Sequence, residues 1–510
     1  MIGMAPVEGK GGRDGIWLAA SIAFILSAVV LFLNLSKPIT DQHGFRQTQT
    51  ALSVYWMLHG GPWLDYQTPA LGYPWSIPFE FPLYQWIVAT LVRLSGLPVD
   101  SAGRIVSYAW LLLGLPPARA LFRSYGFLDS TFLVYTTLLL VSPLYLFAGR
   151  AFLIETQALA LSVWMLALTR QFTERPHAGT ALFALVAASA AGLTKLTTLP
   201  HFLLLSGLMI AQALWRRRDN PRQLTTILAG SAAIFLPALA ITFAWTRHAD
   251  MLKEANPLAK NLRSNAAGMM QWNFGSLEQR FSSDLVHAVL RTTADVAGPA
   301  CIVLLPFLIG LLLLQKGPGW RKAQAALLMV AAFLLPFGIF TNLYIVHNYY
   351  PSANGVFLIA ALALILTGLG ARFGQRVMIL LLATILSSQF IQFTLAFLPN
   401  MLHPSDKEIA IADYIRDHTP RDSAIVIVGL DWSPIVPYYS TRRALMIPAW
   451  EDLSVNERLR AIDDGVGGLT IGAIIICHLS VNSDSSFQNL FNAQIRGRAH
   501  ERIRGCDIYK

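Results

Sequence analysis

The sequence predicts a polytopic α-helical membrane protein that ends in a small soluble α/β domain. Of its 510 residues, 54% are hydrophobic and only 13% are charged, whereas soluble proteins average roughly 25% charged residues. Long apolar runs recur from residue 16 onward, and near residue 400 they give way to alternating helix and strand patterns. We therefore expect a transmembrane domain over 16–399 and a soluble domain over 400–510.

Twelve apolar segments have roughly the length of a membrane span. They lie near 16–34, 79–96, 103–121, 131–148, 157–172, 178–194, 199–214, 225–246, 299–314, 323–345, 351–371 and 377–398. The first follows Lys10 and Arg13 without a small-x-small cleavage site, so it predicts an uncleaved first span after a cytoplasmic segment 1–15.

The formal charge of +10 comes largely from short basic loops between these runs, such as "WRRRDNPR", "KGPGWRK" and "ARFGQR". Basic loops of this kind stay in the cytoplasm. The pattern therefore accounts for the charge without a nucleic-acid partner. It also places the segments 35–78, 149–156, 247–298 and 400–510 on the outer side.

Counting spans from both ends of the chain gives one consistent topology. The two counts agree if 79–96, which carries Glu80, Arg93 and two prolines, lies beside the membrane rather than across it. We expect eleven spans on this basis, and twelve or thirteen if one loop is assigned to the wrong side.

The C-terminal segment reads as alternating helices and strands. "SDKEIAIADYIRDHT" predicts a helix with a polar face, "SAIVIVG" a buried strand, and "VNERLRAIDDG" followed by "IGAIIICH" a second helix and strand. No glycine-rich nucleotide motif is present. Cys301 lies in an apolar run, and Cys477 and Cys506 are near enough in the chain for a single bridge; none forms a C-x-x-C zinc pattern.

Ionisable and aromatic residues collect in the external segments beside the ends of spans. They are the carboxylates Asp41 and Glu155 and the residues Arg46, Arg150, Lys195, His347, Tyr349 and Tyr350. Ionisable groups at membrane depth usually face a cavity or a partner. A carboxylate can act as general base on an acceptor, and cations and tyrosines can hold a phosphate leaving group. The set therefore predicts a phosphate site. If the phosphate belongs to a polyprenyl lipid, the site must lie at the outer boundary of the membrane, where these residues are expected.

Each of these residues also has a purely structural interpretation. Asp41 could cap a helix that begins near His43, and Glu155 could complement the dipole of the helix after it. Lys195 could extend to lipid headgroups, and His347 with the two tyrosines could form an interfacial aromatic belt.

Five motifs in order resemble those of the membrane-embedded GT-C glycosyltransferases. They are "TDQHGFRQTQTA", "PFEFPLYQW", "GRAFLIETQALAL", "GLTKLTTLP" and "VHNYYPSANGVFLIAAL". The resemblance is greatest to the bacterial branch (families 39 and 83) related to protein O-mannosyltransferases and the lipid A aminoarabinose transferase. It covers roughly residues 16–400 and implies a GT-C fold.

The resemblance implies roles for individual residues. Asp41 matches the catalytic acidic residue of the first external loop, which is expected to act as the general base. Arg46 and Gln47 follow it, as in the bacterial branch. Glu80 in "EFPLY" matches the acidic neighbour of a "PPLY" segment. These four residues form the first part of the implied site.

The second half of the implied site comes from later motifs. "GRAFLIE" resembles the family's element of the second external loop, which begins with an arginine and ends with the second acidic residue. In this chain these residues are Arg150 and Glu155. Lys195 matches a lysine that meets the lipid phosphate. His347, Tyr349 and Tyr350 are expected to add to substrate binding.

Three positions depart from the family pattern. Gln42 follows Asp41 where an Asp-Glu pair is common, the second acid is Glu155 rather than Asp, and Leu196 replaces a glycine. Members of the superfamily differ in metal dependence. The resemblance therefore does not decide whether a divalent metal is required, and it implies no other cofactor.

The expected function is transfer of a hexose or pentose from a polyprenyl-phosphate donor, with inversion, to an acceptor outside the bacterial inner membrane. The acceptor class stays open among lipopolysaccharide, another envelope glycan or glycolipid, and protein; 247–298 and 400–510 are expected to shape that choice. The alternative is a transporter or flippase of lipid-linked sugars. A transporter favours charges at mid-membrane and two related halves, and neither is evident in the sequence.

Overall fold

The structure, a computed structural model, describes residues 10–314, 318–448, 464–477 and 494–510. Within these residues the helices are α1 Lys10–Asn34, α2 Gly44–Leu58, α3 Leu83–Ser95, α4 Val99–Leu113, α5 Leu115–Ser124, α6 Asp129–Val141, α7 Pro143–Ala148, α8 Glu155–Glu174, α9 Ala178–Thr194, α10 Leu199–Arg216, α11 Pro221–Glu254, α12 Ala267–Phe274, α13 Leu277–Arg280, α14 Ser283–Ala297, α15 Ala300–Leu313, α16 Pro318–Ile339, α17 Thr341–Val346, α18 Gly355–Phe373, α19 Gln375–Gln392, α20 Leu398–Leu402, α21 Lys407–His418 and α22 Ile435–Ser440. The strands are β1 Ala424–Val428, β2 Arg443–Ile447, β3 Ile471–Cys477, β4 His500–Ile503 and β5 Cys506–Tyr509.

Among the described residues, seven helical segments are long and apolar enough to cross a membrane, or eight if the bent pair α14 and α15 forms one span. The predicted count of eleven is not reached because several expected spans are broken or short. The run 131–148 is split into α6 and α7 at Pro143, where proline disfavours helix in the preceding residue. Helix α3 has 13 residues, below the roughly 20 that span a bilayer, in line with a position beside the membrane.

The described chain divides into two compact units. The first comprises residues 1–35, 104–242 and 271–399. Its central helix is α18, which is buried over almost its whole length and packs against α6 and α16, while α8 packs against α9 and α10. A helix that is apolar all round and buried on every side is typical of the interior of a helical membrane domain.

The second unit comprises residues 36–103, 243–270 and 400–510. A five-stranded sheet in the order β2-β1-β3-β5-β4 forms its core. Strands β2, β1 and β3 are parallel, and β5 and β4 are antiparallel to their neighbours. The sheet confirms an α/β domain near the C-terminus, and "SAIVIVG" and "IGAIIICH" supply β1 and β3. Most of the helix predicted in "VNERLRAIDDG" lies outside the described residues.

The segment between α2 and α3 joins the edge of this sheet. Ala444 and Met446 of β2 donate backbone hydrogen bonds to the carbonyls of Pro69 and Ala70, at 3.0 and 2.8 Å. Leu71 forms a bridge to Leu445. The free edge of β2 is thus paired, which removes a strand edge otherwise open to other chains.

Cys477 of β3 and Cys506 of β5 form a disulfide. The strands are antiparallel neighbours, and these two residues are direct partners in the register. Cys301 is a buried free thiol. The single bridge that the sequence allowed is therefore present.

Candidate functional site

Asp41 lies in the turn between α1 and α2, where its carboxylate is held by a nearby amide. Gln47 Nε2 donates to Asp41 Oδ1 at 2.6 Å and to the carbonyl of Gln42 at 2.8 Å. His43 is the N-cap residue of α2, with φ 55°, and its side chain makes no capping hydrogen bond. Asp41 is thus not the N-cap residue, and its carboxylate contacts a side chain one turn into the helix.

The backbone beside Asp41 is anchored by residues from the far end of the chain. The Tyr439 hydroxyl accepts a hydrogen bond from the Ile39 backbone N–H at 2.8 Å. Thr40 Oγ1 donates to the carbonyl of Ser405 at 2.7 Å, and the Ser405 N–H returns a bond to the Thr40 carbonyl at 3.3 Å. The turn that carries Asp41 is therefore positioned by the C-terminal segment, which no sequence motif indicated.

Arg46 and Glu80 form an ion pair across 34 residues. Arg46 Nη1 also donates to Gln49 Oε1 at 2.6 Å. The backbone of Glu80 is fixed as well, because the hydroxyl of Tyr66 donates to the Glu80 carbonyl at 3.1 Å. Burial and the charge of Glu80 raise the pKa of Tyr66, so this hydroxyl stays protonated and keeps donating.

A second cluster surrounds Lys195, which lies in extended backbone directly after α9. Lys195 Nζ donates to Glu155 Oε1 at 2.5 Å. Its ammonium lies 4.2 Å from the ring centroid of Tyr350 and 5.2 Å from that of Tyr349. The two tyrosine rings stack on each other at 4.8 Å, and His347 contacts both at 5.2 and 5.9 Å. Five predicted residues thus form one cluster, which we call the lysine cluster.

The lysine cluster is almost closed to solvent. Lys195 is 5% exposed and Glu155 is 3% exposed. An ammonium group has three N–H donors, and among the described residues only Glu155 accepts from it. The ammonium also lies beside the two tyrosine rings, whose faces attract cations. Such an ammonium can take one further anionic ligand without losing its carboxylate partner.

This geometry decides two of the structural interpretations. A lysine buried beside Glu155 does not extend to lipid headgroups, so that interpretation of Lys195 is wrong. Tyr349 is buried, so this residue does not belong to an interfacial belt. Glu155 is the first residue of α8, where a carboxylate complements the helix dipole, and this role coexists with the ion pair.

Arg150 belongs to a third group, and sequence reasoning missed its partners. When the Asn34 amide is oriented to satisfy its surroundings, its oxygen accepts from Arg150 and, at 3.0 Å, from Arg104. All three side chains are buried. The sequence could have indicated Arg104, because a charged side chain at the edge of the apolar run 103–121 is energetically costly unless it faces a partner or a cavity.

In the described part of the chain, no group of three or more His, Cys, Asp or Glu side chains could hold a metal ion. The described residues therefore contain no candidate metal site of this kind.

Comparisons with known proteins identify the fold. No family model matches the chain, and no curated protein matches it. The structure of ArnT from Cupriavidus metallidurans bound to undecaprenyl phosphate is 16% identical, with a TM-score of 0.61 and 97% of each chain covered. The oligosaccharyltransferase AglB from Archaeoglobus fulgidus, in complex with an inhibitory peptide and a dolichol-phosphate, is 10% identical, with a TM-score of 0.52. The match covers 92% of this chain and 70% of AglB.

Both neighbours are members of the GT-C superfamily. Identities this low establish the fold and not the activity. The chain is a multi-pass helical protein with the GT-C fold and a small C-terminal sheet, as the sequence predicted.

Proposed function

We propose that this chain is an inverting glycosyltransferase that uses a polyprenyl-phosphate sugar donor at the outer face of the bacterial inner membrane. The observation that carries the proposal is the lysine cluster: an almost fully buried ammonium with unused N–H donors, held between a carboxylate and two tyrosine rings. The fold adds support, because a solved structure with the same fold holds undecaprenyl phosphate.

In this proposal Lys195 binds the phosphate of the donor. A buried ammonium in a site closed to water stabilises developing negative charge far more than an exposed one does. Glu155 keeps the lysine in place and compensates its charge before the donor binds. His347 and the tyrosines form the walls of the phosphate site.

Asp41 acts as general base on the acceptor. Its carboxylate takes the acceptor proton while the acceptor oxygen or nitrogen forms a bond to the anomeric carbon. The bond from that carbon to the phosphate oxygen breaks, and polyprenyl phosphate leaves with the electron pair. Gln47 fixes one carboxylate oxygen through its 2.6 Å hydrogen bond, which orients the base for this transfer.

Arg46, Glu80 and Arg150 are assigned to substrate binding. The Arg46–Glu80 pair holds the first external segment close to α2, where it can meet the polar part of a substrate. Arg150 shares the Asn34 amide with Arg104, and two converging guanidinium groups favour an anionic or hydroxyl-rich ligand.

The Cys477–Cys506 disulfide supports the periplasmic placement of the C-terminal domain, because disulfides persist in oxidising compartments and are rare in the cytoplasm.

The proposal is tested first by donor-lipid binding. Undecaprenyl phosphate is titrated into purified protein in nanodiscs, and bound lipid is quantified by native mass spectrometry. We expect Lys195→Ala to weaken binding by roughly tenfold or more, as the loss of a charged hydrogen bond costs about 1.5–3 kcal/mol. Lys260→Ala, which removes an exposed lysine, serves as the matched control. Equal affinity of the Lys195 variant and the control would remove the phosphate role.

The second test separates a transferase from a transporter. Envelope glycans and lipids from cells with and without the protein are compared by mass spectrometry, with the Asp41→Asn variant as a third sample. A transferase adds a sugar that is absent without the protein and absent in the variant, although the variant still binds undecaprenyl phosphate. An unchanged glycan profile in all three samples would contradict the proposal.

A further inference from the structure

The helices of the first unit enclose a cavity of about 470 Å³ that the proposed reaction does not use. This volume falls in the range of roughly 300–1,000 Å³ that is typical of ligand sites. Its walls come from the α5–α6 region and from α8, α10, α16 and α18, and they are mostly leucine, phenylalanine and methionine side chains. The cavity is therefore suited to a hydrocarbon chain.

The cavity has a charged end. Helix α10 begins four residues after Lys195 and ends at Arg216; it contains 18 residues, which corresponds to a length of about 27 Å. Phe202 lines the cavity near the start of this helix, and Arg216 lines it at the end, together with Arg321 from the first turn of α16. The arginine end is thus about one membrane thickness away from the lysine cluster.

These two arginines differ from a third arginine in the same region. Arg170 lies over the ring of Tyr125, 4.5 Å from its centroid, and is paired with Glu174. No Asp or Glu lines the cavity. Among the described residues, no carboxylate forms an ion pair with Arg216 or Arg321. In the described part of the chain, the two positive charges at the mouth of this apolar cavity therefore have no carboxylate in direct contact.

We propose that this cavity binds an anionic glycerophospholipid, with an acyl chain inside the cavity and the phosphate between Arg216 and Arg321. Basic pockets between membrane helices recognise anionic lipid headgroups in this way. Leu208 and Leu328, which line the cavity, are 46% and 45% exposed, so a lipid can enter sideways from the bilayer. A donor lipid with its phosphate at Lys195 would bring only hydrocarbon to this end and would leave both arginines uncompensated.

The test measures bound phospholipid. Delipidated full-length protein is offered equal amounts of dioleoyl phosphatidylglycerol and dioleoyl phosphatidylcholine, and native mass spectrometry counts each retained lipid. We expect wild-type protein to retain phosphatidylglycerol with roughly tenfold preference. The double variant Arg216→Gln/Arg321→Gln should lose this preference. The control Arg218→Gln/Arg222→Gln, which removes two exposed arginines outside the cavity, should keep it.

A second pair of variants tests the hydrocarbon part. Ala325 lines the cavity and Ala331 is exposed further along the same helix. Ala325→Trp should reduce retention of phosphatidylglycerol, and Ala331→Trp should not.

Two results would overturn the proposal. One is equal retention of phosphatidylglycerol by wild-type protein and the double arginine variant. The other is displacement of phosphatidylglycerol by undecaprenyl phosphate in the Lys195→Ala background, since the cavity would then hold a polyprenyl chain.

Discussion

Lys195 donates a 2.5 Å hydrogen bond to Glu155 across 40 residues of sequence, and both side chains are almost fully buried. Among the described residues this carboxylate is the only one that compensates the ammonium. Breaking a buried ion pair by removing one partner usually costs about 3–5 kcal/mol, whereas replacing both partners by neutral groups costs much less.

We therefore expect Glu155→Gln to lower the free energy of unfolding by about 3 kcal/mol or more. Addition of Lys195→Met to this variant should restore most of the loss. The measurement is denaturant unfolding in detergent micelles. Glu254→Gln, which breaks an exposed pair with Arg263, is the control and should change stability by about 1 kcal/mol or less. A double variant less stable than Glu155→Gln alone would contradict the pairing.

Gln47 is expected to act as a positioning residue for Asp41. Gln47→Leu removes the donor to Asp41 Oδ1 and should lower kcat by roughly tenfold while KM changes little, because a misoriented base affects the transition state more than substrate binding. Thr50→Val, on the same helix, removes only a bond to the helix backbone and should leave kcat unchanged. A rise in KM with constant kcat would assign Gln47 to substrate binding instead.

Tyr439 is expected to hold the turn that carries Asp41. Tyr439→Phe leaves the Ile39 N–H without the acceptor that it uses, which should cost about 1–3 kcal/mol of stability and lower kcat. Tyr414→Phe is the control, since Tyr414 lies in the same C-terminal segment but bonds to Glu501. If both tyrosine variants lose kcat equally, the effect is general destabilisation and the anchoring role is wrong.

The disulfide gives a prediction about compartment. Under denaturing conditions the chain should offer one thiol to a maleimide reagent, that of Cys301, and all three of its cysteines after reduction. Cys477→Ser/Cys506→Ser should lower stability by about 3–4 kcal/mol, as expected for a bridge across 29 residues, and Cys301→Ser is the matched control. Three reactive thiols without reduction would place this domain in a reducing compartment.

The sequence predicted the features that a motif or a local pattern determines. The first motif named both Asp41 and Gln47, but their hydrogen bond was not predicted; it forms because α2 begins between the two residues. The apolar runs predicted a helical membrane domain, and two buried strand patterns predicted the C-terminal sheet. The pairing of Lys195 with Glu155 was only partly anticipated, since the resemblance gave each residue a role but not a contact.

The rest depended on tertiary contacts that carry no sequence pattern. The hydroxyl of Tyr439 contacts the backbone of Ile39 across 400 residues, and nothing in the sequence of the short helix α22 indicates that partner. Arg104 was overlooked because it lies at the edge of an apolar run, where an arginine is commonly assigned to the interface. The expected span 131–148 also broke at Pro143, because backbone breaks matter as much as hydropathy.

The bonds from Ile39 and Thr40 to Tyr439 and Ser405 have a consequence for biosynthesis. At roughly 5–20 residues per second, a ribosome needs about 20–80 seconds to make the 400 residues that separate Ile39 from Tyr439. The turn that carries Asp41 is therefore synthesised long before the residues that anchor it. Its final backbone geometry can form only after the C-terminal segment with Ser405 and Tyr439 has been made.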